Sequence, residues 1–161
     1  MINLRNIWVI PATLIFALAL TLLPLPAWAQ PFRPDWVTLV VIYWAMAIPR
    51  VFGMTAAWVT GLLLDVSQGA LLGQHALGIV MITYIIAIQY QRIRVAPLGQ
   101  QALVVTSLLI LKQVEVLWAN GLANRLPDNP YYYFGGPLLA LILWPWIFII
   151  LRDIRRRFHI A

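Results

Sequence analysis

Six apolar runs separated by short polar breaks constrain this chain more than any other feature. The runs cover residues 8–29, 36–48, 51–66, 70–89, 100–121 and 136–151. Apolar residues make up 63% of the 161 residues and charged residues only 10%, whereas an average globular protein is about half apolar and a quarter charged. A soluble domain of this length could not bury that much apolar surface. We therefore expect an all-α integral membrane protein, a single polytopic domain with six transmembrane helices.

Proline residues set several of the breaks between runs. Pro24 and Pro26 are expected to kink or end the first helix near the membrane surface. That run is longer than the roughly 7–15 residues of a signal-peptide core, so we interpret it as an anchor. A single helix from 36 to 66 would be about 46 Å long, which favours two short helices with a tight turn at Pro49 and Arg50. Asp35 is well placed as the N-cap of the first of these.

Lysine and arginine residues predict the orientation in the membrane. With six spans both termini lie on one side of the membrane. That side carries eight arginines, and the opposite side carries two, Arg33 and Arg125. The eight are Arg5, Arg50, Arg92, Arg94, Arg152, Arg155, Arg156 and Arg157. Basic residues favour the cytoplasmic side. We therefore expect cytoplasmic termini, with the turn after residue 66 on the outer face.

A polar stretch between residues 61 and 77 interrupts the apolar pattern. Gly61 is expected to allow close helix packing, and Gly69 and Gly73 to form the turn and the entry of the next helix. Asp65 has two interpretations. It holds the turn by accepting amide hydrogens around Ser67 to Gly69, which its place at a helix end favours, or it is an acidic ligand for a partner or substrate.

Charged residues within the fifth run form the second polar feature. Lys112 and Glu115 are three residues apart on one predicted helix. Intramembrane charges usually pair and face the bundle interior, so an ion pair between these two is expected. The alternative is a polar core used by a partner, ion or ligand. His75 stands alone, and a hydrogen-bonded histidine near the interface is the simpler interpretation.

Two further clusters lie near the C-terminus. Tyr131, Tyr132, Tyr133 and Phe134 form an aromatic cluster that fits either an interfacial belt or a docking patch for another membrane protein. The basic tail follows the last apolar run and is expected to lie on anionic phospholipid. It consists of Arg152, Arg155, Arg156 and Arg157.

No residue pattern in the chain predicts catalysis. Cysteine is absent, so thiolate metal sites and disulfides are excluded. There is no nucleophile with a matching base and no glycine-rich phosphate loop. We expect a non-enzymatic protein without cofactor or metal, and the positive charge indicates lipid contact instead of nucleic-acid binding.

Several segments together resemble the bacterial MreD family of rod shape-determining proteins. The resemblance lies in the order and spacing of pieces spread from residue 33 to 158. They are Arg33-Pro34-Asp35-Trp36, Tyr43-Trp44 with Ile48-Pro49, Gly61-Leu62-Leu63-Leu64-Asp65 with Gly69 and Leu72-Gly73, residues 100–105, and Leu143-Trp144-Pro145-Trp146-Ile147-Phe148 with the arginine-rich end.

The resemblance implies a multi-pass protein of the bacterial inner membrane that acts in peptidoglycan elongation. Its implied direct partner is the membrane protein MreC. MreB, RodA and the transpeptidase of RodA are implied as members of the wider complex, and homo-oligomers stay open. It also implies a six-helix arrangement similar to the substrate-binding subunits of energy-coupling-factor transporters. The first hypothesis is therefore a scaffold that binds MreC, and the alternative is a transporter-type subunit that binds a small molecule or lipid.

Overall fold

The computed structural model describes residues 6–160, and this part of the chain holds six α-helices, two short 3-10 helices and no β-strand. The prediction of six helices is confirmed. Arg5, which entered the orientation count, lies outside the described residues. The α-helices are α1 (Val9–Leu22), α2 (Trp36–Ala47), α3 (Met54–Gln68), α4 (Gln74–Val95), α5 (Leu98–Leu122) and α6 (Gly135–Arg157), and the 3-10 helices are Ala27–Phe32 and Pro130–Phe134.

The helix ends follow from local backbone chemistry. The first helix stops at Leu22, not at residue 29, because Pro24 and Pro26 prevent its continuation. Gly69 and Gly73 have φ angles of 63° and 94°, in the left-handed region that glycine occupies without strain. These two residues end α3 and begin α4, so α4 starts at Gln74 instead of residue 70. The last helix continues past residue 151 through the arginines to Arg157.

The short helix α2 forms the centre of the bundle. It packs against α1, α4, α5 and α6, and every residue from Val37 to Met46 is buried. Aromatic side chains pack around its middle, where Tyr43 meets Trp44 and Phe148 in edge-on contacts with ring centroids 5.3 and 5.7 Å apart. The indole Nε1 of Trp44 donates to Thr13 Oγ1 at 2.9 Å, which joins α2 to α1.

Helix length divides the bundle into two groups. Three segments are long and apolar enough to cross a membrane: α4, α5 and Pro130–Arg157. The remaining helices α1, α2 and α3 have 14, 12 and 15 residues, or about 18–22 Å against roughly 30 Å of hydrocarbon. Within residues 6–160 there are therefore three helices that could span a membrane by length and composition, and three shorter helices pack among them.

The two ends of the described chain meet at one end of the bundle. Asn6 Nδ2 donates to the carbonyl of Phe158 at 2.6 Å, and the rings of Trp8 and Phe158 pack edge-on at 5.7 Å. The opposite end, which we call the turn side, carries the α3–α4 turn, the two 3-10 helices and the start of α6. Gly136 allows that start to approach the linker before α2, since a Cβ there would lie 2.3 Å from the carbonyl oxygen of Arg33.

Candidate functional site

A polar cavity of about 670 Å³ opens on the turn side of the bundle. Its walls come from the α1–α2 linker, the α3–α4 turn, the second half of α5 and Tyr133 with Pro137. The cavity exists because α2 begins deep in the bundle. Its N-cap Asp35 contacts Lys112, which lies ten residues before α5 ends at Leu122, or about 15 Å below that end.

Asp35 and Lys112 form an ion pair at the floor of this cavity. The ammonium of Lys112 donates to Asp35 Oδ2 and, at 2.7 Å, to Thr38 Oγ1. Thr38 returns two hydrogen bonds to Asp35, from its amide to Oδ1 at 3.2 Å and from its hydroxyl to Oδ2 at 2.7 Å. Asp35 therefore caps α2 and also neutralises the intramembrane lysine. The side chains are 28% and 3% exposed, respectively.

The charge of Lys112 keeps Asp35 ionised. The ammonium of Lys112 and the two hydrogen bonds from Thr38 stabilise the charged form of this carboxyl. At neutral pH the floor of the cavity thus carries a compensated pair of full charges.

The predicted ion pair between Lys112 and Glu115 is wrong. Lys112 turns to Asp35 instead, and Glu115 Oε2 is buried without a hydrogen-bond partner. Residues three apart on a helix can pair, but Asp35 and Thr38 at the start of α2 together give the Lys112 ammonium two acceptors. Glu115 faces Gly78 of α4, where a Cβ would lie 2.9 Å from its Oε2.

Asp65 lies wholly inside the α3–α4 turn, with 0% exposure. It accepts from the amides of Gly73 at 2.9 Å, His75 at 2.8 Å and Ala76 at 3.4 Å, and contacts His75 Nδ1 at 2.8 Å. The prediction that Asp65 accepts hydrogen bonds from the amides of Ser67 to Gly69 is wrong. Those amides belong to the end of α3, whereas the first backbone amides of α4 have no partner within their own helix and can donate to the carboxylate.

Gly61 lies at the closest approach of α3 and α4. A Cβ at this position would be 2.2 Å from Ala76 Cα and 2.8 Å from Ala76 N. Neither backbone atom can move aside as a flexible side chain could. Gly61, Asp65, Gly69 and Gly73 thus all act on one feature, the α3–α4 hairpin that forms a wall of the cavity.

The clusters near the C-terminus lie at opposite ends of the molecule. Tyr131, Tyr132 and Tyr133 are 85%, 59% and 51% exposed on the turn side, while Phe134 is half-buried. Only Tyr133 of these contributes to the cavity. The tail arginines occupy the far end of α6, where Arg152, Arg156 and Arg157 are exposed and Arg155 is half-buried.

Some residues of the site carried no clear sequence signal. Gln74 Nε2 donates to Asn120 Oδ1 at 3.1 Å and to the carbonyl of Val116 at 3.4 Å, which ties α4 to α5. Thr38 looked like an ordinary residue of an apolar run. The sequence did place an intramembrane lysine and a capping aspartate 77 positions apart, and a search for the counter-ion of Lys112 would have been the signal that joins them.

The site holds an ion pair between a buried lysine and a partly exposed aspartate, a contact between His75 and the buried Asp65, and amide side chains. Within residues 6–160 no three His, Cys, Asp or Glu side chains come together as metal ligands would. The arrangement can stabilise helix contacts and bind polar groups.

The family model described as rod shape-determining protein MreD matches residues 3–154. The chain belongs to the MreD family. It is also 32% identical, over 146 residues, to the rod shape-determining protein MreD of Haemophilus influenzae, covering 89% of this chain and 88% of that protein. No solved structure matches the chain. MreD membership gives the chain a role in rod shape determination and places it among membrane proteins, in agreement with its three long apolar helices.

Proposed function

We propose that the chain is a non-enzymatic membrane scaffold of the cell-wall elongation machinery, which binds MreC and helps to control peptidoglycan synthesis. The observation that carries this proposal is the MreD match over residues 3–154, because it includes all but the last turn of the helical bundle. The shape-determining role then belongs to the bundle as a whole. A scaffold needs surfaces for partners, and the bundle offers two.

The first surface is apolar and lies on the long helices. Large apolar side chains on α5 and α6 are exposed and would face lipid or a partner's transmembrane helix, in this proposal that of MreC. They include Leu103, Val114 and Trp118 on α5 and Leu138, Ile142 and Trp146 on α6. The second surface is the pair Tyr131 and Tyr132, at 85% and 59% exposure, which would meet the start of the extracytoplasmic part of MreC.

The orientation proposed here places both termini in the cytoplasm of a bacterial inner membrane. The contact of Asn6 with Phe158 supports a shared side for the two ends, and most basic residues belong to that side. The exposed tail arginines would then lie on anionic phospholipid near MreB. RodA and its transpeptidase would belong to the wider assembly.

The scaffold proposal is tested by expressing the chain in cells of a rod-shaped bacterium whose own MreD gene has been deleted. We expect the wild type to restore rod shape and to retain MreC on detergent purification. The double variant Tyr131→Ala/Tyr132→Ala should retain several-fold less MreC, whereas Tyr84→Ala, an exposed tyrosine on α4, should behave as wild type. A folded wild-type chain that restores shape without ever retaining MreC would contradict the proposal.

A second candidate function is a membrane subunit that binds a small molecule or lipid, akin to the substrate-binding subunits of energy-coupling-factor transporters. The cavity of about 670 Å³ favours it, since ligand pockets usually measure about 300–1,000 Å³. A ligand that fills the cavity should raise the melting temperature of the purified chain. The residues that line the cavity indicate which class of ligand it would bind.

A further inference from the structure

The charges that line the cavity do not balance. Arg33, Lys112 and Arg125 contribute three positive charges and Asp35 one negative charge. Lys112 and Asp35 neutralise each other, so among the residues that line the cavity the two guanidinium groups remain as excess positive charge. His75 lines the cavity as well, but its Nδ1 contacts Asp65, which is fully buried behind it and bonded to the start of α4. An anion is the ligand that this excess favours.

The hydrogen-bond donors match the oxygens of a phosphate group. Arg33 spends one guanidinium hydrogen on the carbonyl of Leu23 at 2.6 Å, and a guanidinium has five such donors. Arg125 is exposed at the rim. The ammonium of Lys112 has three donors, of which Asp35 and Thr38 accept two. Guanidinium groups bind phosphate oxygens in a bidentate manner, which makes phosphate a better match than a single-point anion.

The apolar part of the lining indicates an amphiphile. The cavity walls also contain five large apolar side chains, those of Leu22, Leu64, Leu71, Leu109 and Val116. Leu22, the last residue of α1, is 54% exposed, so apolar surface is accessible at this wall. A free inorganic ion would gain nothing from these side chains, whereas the first carbons of a lipid tail would bury apolar area against them.

We propose that this cavity binds the phosphate headgroup of an anionic lipid, with Arg33 and Arg125 as the charged contacts and Lys112 as a donor at the floor. The proposal rests on the second candidate function, ligand binding in the cavity, and names the class of the ligand. It is independent of MreC binding, which the retention experiment tests separately.

The test uses the purified full-length chain in an uncharged maltoside detergent without MreC. Three probes are titrated, with affinity and melting temperature as readouts: dihexanoyl phosphatidic acid, dihexanoyl phosphatidylcholine of equal chain length, and inorganic phosphate. We expect phosphatidic acid to bind at least about tenfold more tightly than the other two, the scale of one charge-assisted hydrogen bond. Arg125→Gln should weaken phosphatidic acid binding about tenfold, and Arg33→Gln should do the same.

The matched control is Arg50→Gln, because Arg50 is exposed in the α2–α3 turn and does not line the cavity. It should leave the affinity unchanged. Arg33→Gln also removes the bond to Leu23, so Arg125→Gln decides the matter if the Arg33 variant fails to fold. Tight binding of inorganic phosphate alone would support the phosphate site and assign it to a free anion. Equal binding of both lipids would overturn the assignment to an anionic headgroup, because phosphatidylcholine also carries a phosphate but no net charge. Binding of none of the probes would overturn the lipid site as well.

Discussion

Replacing Lys112 with methionine tests the ion pair at the cavity floor most directly. The change keeps the length of the side chain but removes the ammonium that bonds Asp35 and Thr38. Breaking a buried ion pair by removing one partner costs about 3–5 kcal/mol, because the other charge is left buried. Asp35 is 28% exposed and keeps two bonds from Thr38. We therefore expect a smaller loss, about 2–3 kcal/mol of unfolding free energy.

A double variant separates the pair from the general effect of altering α5. Asparagine at position 35 carries no charge and is still a good N-cap, so Lys112→Met/Asp35→Asn should recover much of the loss. The assay is thermal unfolding in maltoside. At about 2–4 °C per kcal/mol for a chain of this size, the single variant should melt about 4–12 °C below wild type.

The same cycle with Glu115 distinguishes the two partners proposed for Lys112. Because Glu115 Oε2 has no hydrogen-bond partner, Glu115→Gln should not rescue Lys112→Met. Rescue by Glu115→Gln in the absence of rescue by Asp35→Asn would refute the reasoning and restore the pairing that the three-residue spacing predicted.

Three further predictions concern the hairpin and the orientation. Gly61→Ala should destabilise the chain by about 1–3 kcal/mol in the same unfolding assay, because the new Cβ would overlap the Ala76 backbone. The control Gly99→Ala should be neutral or slightly stabilising, because no atom lies within 4 Å of a Cβ there. Equal effects of the two variants would contradict the close approach of α3 and α4. Asp65→Asn should lower the free energy of unfolding by about 1–3 kcal/mol, because an NH₂ group would replace one of the two oxygens that accept from the backbone amides at the start of α4. An unchanged melting temperature would show that Asp65 does not hold the α3–α4 turn. Since the sequence has no cysteine, a single cysteine at exposed Gln68 should react with an impermeant maleimide outside intact cells, and one at exposed Gln91 only after permeabilisation; the reverse pattern would invert the proposed orientation.

Sequence reasoning recovered the helices better than their packing. Proline and glycine act on the backbone of their own residue, so Pro24, Pro49 and Gly69 could be interpreted without knowing their neighbours. The bounds shifted where tertiary structure decides them. The last helix runs on to Arg157, because polar residues at the end of an amphipathic helix need no lipid and do not stop it.

The candidate site was less predictable because its key contacts join distant parts of the chain. Asp35 and Lys112 were each singled out, but for separate roles, and their union depends on how deep α2 begins in the bundle. That depth is not encoded in any local pattern. The linker before α2 lines the cavity, and no local pattern in the sequence indicated this.

The position of α2 shows why polar groups matter more than hydrophobicity for this architecture. An apolar helix gains little from exchanging lipid contacts for contacts with other apolar helices, so hydrophobicity alone does not fix its depth or rotation. In α2 every residue from Val37 to Met46 is buried, and most of these side chains are apolar. What distinguishes one register from another is the polar contact at its start, Asp35 with Lys112, and that in its middle, Trp44 with Thr13. A slip of α2 by one turn would leave a lysine unpaired in the membrane, so the ion pair specifies where the central helix lies and thereby maintains the cavity above it.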